Sequence, residues 1–384
     1  MEDIRIKIKK ISEQLEKVDD NNYQTTIPLL EKMVEYHQIL GDIDNEFSYR
    51  KRYVDKLSKV DIEKMIFEFS VLVTHFDQNI DHLSDFNVES FYDCYLDNVL
   101  ENIFKSEKIT LSQIDGLWDD FLKRAVKTDK ILRLMAVFFA KKIVNTEPKR
   151  LAAAYYTAWC LYNYTGQFDK TNAFFDLWHI HFMPKEHNLG ECTEKISNKI
   201  VYYLLWKGDF KQAIKKGEEL IESNVSCSCM YLPMATRGFL LIAYLSIGND
   251  KKAEEHYELA KDHTDIYSPI IYWNIRKHEF SRALDQFEKY VSDGFQNISF
   301  DNMFSFHLGY VLFHSMLKEK GDISLSVKLP ENMDVFRADH TYSVNTLKDY
   351  FQKQTQDLIL AFDKRNQNTV ASDYFNNLEK VFLN

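Results

Sequence analysis

Glycine and proline are scarce in this chain, with only 11 glycines and 6 prolines among 384 residues. A β-sandwich or barrel needs turn residues about every 8–12 positions, and a doubly wound α/β fold needs glycine-rich turns between strands and helices. The hydrophobic fraction of 45% and the aromatic fraction of 14% supply a core and argue against a disordered chain. The sequence therefore predicts an all-α fold.

Apolar residues recur at helical spacing in the first part of the chain. Ile4, Ile8, Ile11 and Leu15 follow one another in steps of four, three and four, which places them on one helical face. Further helices are predicted near 27–40, 44–58, 61–80, 87–106, 110–127 and 129–145. Because short links favour antiparallel packing of neighbouring helices, residues 1–145 are predicted to form a helical bundle or degenerate helical repeats.

A second pattern recurs at the turns between helices in the region 146–295. Gly166, Gly208 and Gly248 lie 42 and 40 residues apart, and Ala213 and Ala253 each follow a glycine by five positions. Glycine can end a helix in the left-handed conformation, and a small residue lets two helices approach closely. The pattern predicts repeated pairs of helices.

A fourth copy of the turn has His278 instead of glycine but keeps Phe280 and Ala283, and Gly41 suggests an earlier degenerate copy. This pattern resembles the tetratricopeptide repeat (TPR), which carries Gly-x-aromatic-x-x-Ala at the turn between its helices. The resemblance covers about residues 150–293 and implies a right-handed α-α superhelix of TPR-like hairpins. Since spacings of 40 and 42 exceed the usual repeat of about 34 residues, another helical array is the alternative.

The last region, 296–384, is predicted to be a helical cap with an extended loop at 320–342. It begins with a helix at 302–318, and two more helices are predicted at 343–364 and about 370–383. Between them, apolar residues alternate with polar ones at Ile323, Leu325, Val327 and Leu329. This period of two indicates a short extended segment near 323–329, either an ordered loop or a flap that binds a partner.

The charge and the cysteine content indicate which classes of partner and which cellular compartment to expect. The net charge of −10 disfavours a broad cationic surface for nucleic acid. No signal peptide and no apolar stretch of about 20 residues is visible, so no membrane partner is expected. Five scattered cysteines suit reduced thiols. We expect a cytoplasmic protein without nucleic-acid or membrane partners.

Common enzymatic motifs are missing: the sequence has no phosphate-binding loop, no Gly-x-Gly-x-x-Gly, no His-Glu-x-x-His and no Gly-x-Ser-x-Gly. We therefore predict no catalytic residue, no metal ligand, no cofactor and no enzyme activity. The alternative from another class is an all-α enzyme with a site around His179 and His181, near His187 and Cys192. Two residues on a helix separated by two positions point about 200° apart, which weakens a metal site there.

The TPR resemblance implies a groove lined by the first helices of the pairs. Its groove-facing positions fall on Tyr156, Asn163, Tyr164, Lys195, Asn198, Tyr202, Trp206, Tyr272 and Arg276. Aromatic side chains bury a large area, asparagine can bond a peptide backbone, and lysine or arginine can bind a carboxylate. The alternative for the tryptophans, including Trp206, is that they fill the core.

These features predict a non-catalytic helical-repeat scaffold that binds a protein or a peptide. An N-terminal helical bundle joined to a TPR array is similar to the bacterial response-regulator-binding and peptide-pheromone receptors, which implies a bacterial regulatory interaction protein. A toxin-neutralising immunity protein is the alternative within the same class, and a purely structural adaptor inside a larger complex is a further possibility.

Overall fold

The computed structural model describes residues 2–105, 158–159, 162, 165–168, 171–173, 193–223, 233–263, 266–294 and 299–383. These residues are mainly helical and include a single pair of short strands, so the predicted all-α fold with a short extended segment is confirmed. The chain divides into two compact units, Met1–Tyr164 with Asp169–Gly190, and Thr165–Phe168 with Glu191–Asn384. The predicted boundaries near 145 and 295 stay predictions.

The N-terminal unit contains helices α1 to α6. They are α1 (Glu2–Lys17), α2 (Tyr23–Leu40), α3 (Ile43–Val60), α4 (Ile62–Asn79), α5 (Asp85–Ser90) and α6 (Leu96–Lys105), with a π-helical turn at Phe91–Tyr95. The side chains of Phe47, Phe76 and Phe91 meet in the core, with ring centroids 4.3 to 5.8 Å apart. This aromatic cluster joins α3 and α4 to the π-helical turn.

The C-terminal unit contains helices α7 to α15. They are α7 (Thr193–Trp206), α8 (Phe210–Glu222), α9 (Met234–Ser246), α10 (Asp250–Ala260), α11 (Tyr267–Arg276), α12 (Phe280–Gly294), α13 (Ser299–Lys320), α14 (Val344–Asn366) and α15 (Val370–Phe382). The pairs α7/α8, α9/α10 and α11/α12 pack as hairpins, and α13 packs along α14. The first helices of the pairs also contact one another in sequence, so α7, α9, α11 and α13 form one row, the inner row.

The turn between α7 and α8 shows how the hairpins are closed. Gly208 has φ of 78°, and its N–H donates to the carbonyl of Leu205 at 2.8 Å. The N–H of Asp209 donates to Leu204 at 2.8 Å, while the Asp209 side chain accepts from the N–H of Gln212. Together these bonds end one helix in a Schellman motif and start the next.

The same left-handed conformation recurs at Gly41, Gly166, Gly248 and His278. His278 adopts φ of 59°, so the fourth copy keeps the conformation of the turn although it lacks the glycine. The predicted small residues Ala213, Ala253 and Ala283 are fully buried. Helix ends of this kind occur in many α-helical hairpins. They mark the repeated turns of this chain but do not identify a protein family.

The alternating segment forms a strand. β1 (Ser324–Ser326) pairs antiparallel with β2 (Thr341–Ser343), and Leu325 lies opposite Tyr342. Beyond the strand, Val327 and Leu329 are buried, while the backbone N–H of Lys328 donates to Glu288 of α12 at 2.9 Å. The β1–β2 pairing and the bond from Lys328 to Glu288 hold the extended segment against the C-terminal unit.

None of the helices in the described ranges has the length and apolar character needed to cross a bilayer.

Candidate functional site

Helix α15 lies across the inner row of the C-terminal unit. It packs on α9, α11 and α13, and its aromatic side chains reach Trp206 at the end of α7. The sequence predicts α15 as part of a C-terminal cap, and the structure places it against α14 and these inner helices. We call the side chains that receive it the α15-binding surface: Trp206, Tyr272, Arg276, Phe304 and His307.

Aromatic contacts hold α15 along its whole length. The ring of Tyr374 lies 4.9 Å from that of Trp206, and Phe375 lies 5.1 Å from Phe304. At the other end of the helix, Phe382 stacks on Tyr272 of α11 at 4.6 Å. These contacts show that α15 runs from α7 towards α11.

The sequence of α15 explains why it is a helix and why it lies here. Ala371, Tyr374, Phe375 and Leu378 are buried, and this spacing places them on one helical face. The carboxylate of Asp363 accepts from the N–H groups of Ala371 and Ser372 at 2.9 and 3.1 Å and from the Ser372 hydroxyl. It therefore pairs backbone donors at the start of α15 that the helix itself leaves free.

A buried polar pair lies beneath the centre of α15. The hydroxyl of Tyr272 and Nδ1 of His307 are 2.6 Å apart, and both side chains are almost fully buried. Nε2 of His307 has no hydrogen-bond partner and lies 3.7 Å from Oε1 of Glu379 on α15, beyond hydrogen-bond distance. Burial lowers the pKa of His307, and the nearby Glu379 carboxylate opposes this only in part.

Basic side chains bind the carboxyl end of α15. Nη1 of Arg276 donates to the carbonyl of Val381 at 3.2 Å, and Nζ of Lys318 donates to the carbonyl of Leu383 at 3.1 Å. The last carbonyls of a helix lack intrahelical donors, and the end carries partial negative charge. The two cations therefore stabilise this end of α15.

A cavity of about 280 Å³ lies between α13, α14 and α15. It opens to solvent where Gln356, Leu360 and Asn376 are exposed. Its lining is partly apolar and partly polar and consists of Tyr310, Gln352, Thr355, Gln356, Ile359, Leu360, Ser372, Asn376 and Glu379. The same Glu379 carboxylate that approaches His307 thus also borders the cavity. The packing of α15 against α13 and α14 leaves space there.

Three of the predicted groove residues belong to the α15-binding surface: Trp206, Tyr272 and Arg276. Tyr202 lies one turn before Trp206, is half-buried, and its ring is 5.5 Å from that of Phe239 on α9. Asn198 is fully buried, and its Oδ1 accepts from the Thr236 hydroxyl at 2.8 Å. Asn198 thus joins α7 to α9 within the unit.

The side chains of four other predicted groove positions fall outside the part of the chain that the structure describes. Tyr156, Asn163, Tyr164 and the side chain of Lys195 lie outside the described residues. The residues of the alternative enzyme site, which are His179, His181, His187 and Cys192, also lie outside them. Within the described part of the chain, no three His, Cys, Asp or Glu side chains are grouped to hold a metal ion.

Another buried charged cluster joins α3 and α4 in the N-terminal unit. Arg50 donates to Glu46 at 3.0 Å and to Glu68 at 2.8 Å, and Nε2 of His75 lies 3.2 Å from Glu46. Burial raises the pKa of Glu46, but its bonds to His75 and Arg50 outweigh this and leave the pKa lowered. Arg50 of α3 thus bonds a carboxylate on each of the two helices, which is typical of a structural network.

Sequence reasoning did not identify Phe304, His307 or Asp363. Phe304 and His307 lie on α13, which follows the repeats, and Asp363 precedes α15. The signal that could have revealed them is the amphipathic pattern of α15 itself, since an apolar face on the last helix requires a buried partner. Which helices supply that partner depends on tertiary packing.

No protein-family model matches the chain, and no curated protein matches it significantly.

Proposed function

We propose that this chain is a non-catalytic binding protein whose inner row of helices binds a protein or a peptide. The observation that supports the proposal is the α15-binding surface, where aromatic side chains and an arginine receive one amphipathic helix. Aromatic residues and arginine supply much of the binding energy in protein interfaces. A surface that accepts a helix of its own chain has the chemistry to accept a helix from another.

The resemblance to tetratricopeptide repeats and to bacterial peptide receptors supports a regulatory role for this binding. The odd number of scattered cysteines supports a cytoplasmic location. We therefore propose a cytoplasmic regulatory interaction protein, without a cofactor, that acts through the partner it holds.

A photo-cross-linking amino acid placed at Tyr202 tests the proposal. Tyr202 is half-buried on the inner row, whereas Lys215 is exposed on α8 and provides the matched control. In cells that naturally express the protein, we expect a discrete protein or peptide adduct at 202 that is absent at 215. Equal labelling at both positions, or no adduct at 202, would contradict a partner on the inner row.

A further inference from the structure

We infer that α15 occupies the partner's binding surface on the inner row. We also infer that the partner is an amphipathic helix of the same pattern. The pattern has a small residue, two adjacent aromatic residues, a leucine and a final aromatic residue, as in Ala371, Tyr374, Phe375, Leu378 and Phe382. This inference rests on the proposed function and deepens it, because it names the class of partner and the segment that competes with it.

The first support is that the inner row does not depend on α15 for its own contacts. α7, α9, α11 and α13 pack on one another directly, and each of α7, α9 and α11 has its own hairpin partner. α15 is joined to α14 by the short link 367–369, where Gln367 adopts φ of 56°. A non-glycine residue is strained in this left-handed region. The helix can therefore leave without breaking a repeat.

The second support is the incomplete pairing beneath α15. The side chain of His307 is fully buried, and its Nε2 has no hydrogen-bond partner. The cavity bordered by Tyr310, Asn376 and Glu379 lies beside it. Native cores pair nearly all their buried polar groups. A partner helix that places a polar group within hydrogen-bond distance of His307 Nε2 would make a bond there that α15 does not make.

The third support fixes the direction in which the partner binds. Arg276 and Lys318 donate to carbonyls at the carboxyl end of α15, from α11 and α13. Trp206 receives the aromatic pair nearer the amino end. A partner helix would therefore place its last turn between Arg276 and Lys318 and its aromatic pair at Trp206.

A competition experiment on the full-length chain tests this inference. The probe is a fluorescent synthetic peptide of residues 366–384, titrated into the wild type, a Phe375→Ala variant and a Lys380→Ala variant. Phe375 is buried in the interface, whereas Lys380 is exposed on the opposite face and is the control. Since a resident competitor reduces the apparent affinity, we expect Phe375→Ala to bind the probe roughly tenfold tighter than wild type. Lys380→Ala should match the wild type.

A second peptide and a second measurement keep the test independent of folding defects. A peptide carrying Tyr374→Ser and Phe375→Ser should not bind any of the chains. In the wild type, excess probe should speed hydrogen exchange at the amides of α15 and leave α11 unchanged. Equal probe affinity in wild type and Phe375→Ala, or no change in α15 exchange, would overturn the inference.

The outcome also separates other occupants from the one inferred. A concentration-dependent wild-type dimer that the probe dissociates would identify the α15 of a second copy as the occupant and would overturn the partner helix. A partner that binds the inner row beside α15, without displacing it, would still cross-link at Tyr202. A positive cross-link with a negative competition experiment would therefore leave the proposed function standing and remove this inference alone.

Discussion

Two buried histidines in the C-terminal unit are held towards their neutral form. His256 is 4% exposed and His307 is fully buried. Burial lowers the pKa of both, and the carboxylates of Glu218 and Glu379 oppose this only in part. A histidine that binds its proton more weakly when folded favours the unfolded state as the pH falls.

We therefore expect the free energy of unfolding to fall as the pH drops below about 6.5, the ordinary pKa of histidine. The contribution of these groups is fully present above that pH, where both states are neutral. Urea unfolding at a series of pH values measures it, and His307→Gln should reduce the acid slope. An identical slope in His307→Gln and wild type would contradict the prediction.

The left-handed turn residues make a reciprocal pair of predictions. Gly248 has φ of 73°, and a Cβ there would meet nothing within 4 Å, so Gly248→Ala tests backbone strain alone. We expect it to lower the free energy of unfolding by about 1 kcal/mol. His278→Gly should raise it by a similar amount, less the loss of the exposed bond to Glu319. Chemical denaturation measures the free energy of unfolding of both variants. A Gly248→Ala variant that is more stable than wild type, or a His278→Gly variant that is less stable, would contradict this account.

At the scale of the element, α15 depends on a cap supplied by the preceding helix. Asp363 is 8% exposed and accepts from two backbone N–H groups and one hydroxyl at the start of α15. Removal of a buried acceptor leaves those donors unpaired. The cap thus ties the stability of α15 to the position of α14.

We expect Asp363→Ala to destabilise the chain by about 1–3 kcal/mol and to speed hydrogen exchange first in α15. Lys353→Ala, on the same helix nearly three turns earlier, is the control and should leave α15 exchange unchanged. Hydrogen exchange followed by mass spectrometry distinguishes the helices. Uniform acceleration over the whole C-terminal unit would show that α15 does not open on its own.

At the scale of the whole molecule, α15 covers apolar surface that the repeats leave unpaired. Trp206 and Tyr272 are 5% and 2% exposed in its presence, and their contacts with it come from Tyr374 and Phe382. Without α15 these side chains would form an exposed apolar patch, which promotes association. The last helix therefore completes the C-terminal unit.

Deletion of residues 368–384 should increase the binding of an apolar dye and promote self-association. The 366–384 peptide added in trans should reverse both effects, because it restores the aromatic contacts at Trp206 and Tyr272. Dye fluorescence and size-exclusion chromatography measure the change, with the serine-substituted peptide as the control. A deletion variant that elutes and binds dye like the wild type would contradict this role of α15.

Local physics made the elements predictable. The spacing of apolar residues identified α15 near 370–383, and the structure has it at Val370–Phe382. The turn glycines follow the same logic, since the left-handed end of a helix depends on its own residues. His278 could not be predicted in this way, because it adopts the left-handed conformation although it is not a glycine.

The placement of the site was not predictable in the same way. Trp206, Tyr272 and Arg276 were singled out through a family resemblance, but nothing in the chain indicated that residues 370–382 cover them. The contact between Arg276 and Val381 joins residues more than a hundred positions apart. The spacing of apolar residues does not predict contacts between distant residues, since it indicates only which side chains share one face of a helix.

By itself, the sequence determined that this protein is built of helices paired by left-handed turns, because 11 glycines and 6 prolines leave few other ways to end an element. It also determined that α15 has an apolar face that must be buried. Only the tertiary structure decided where that face lies, which is on the inner row. The physical reason is that burial of apolar surface is non-directional, so the choice among apolar partners depends on how the packed helices fit together.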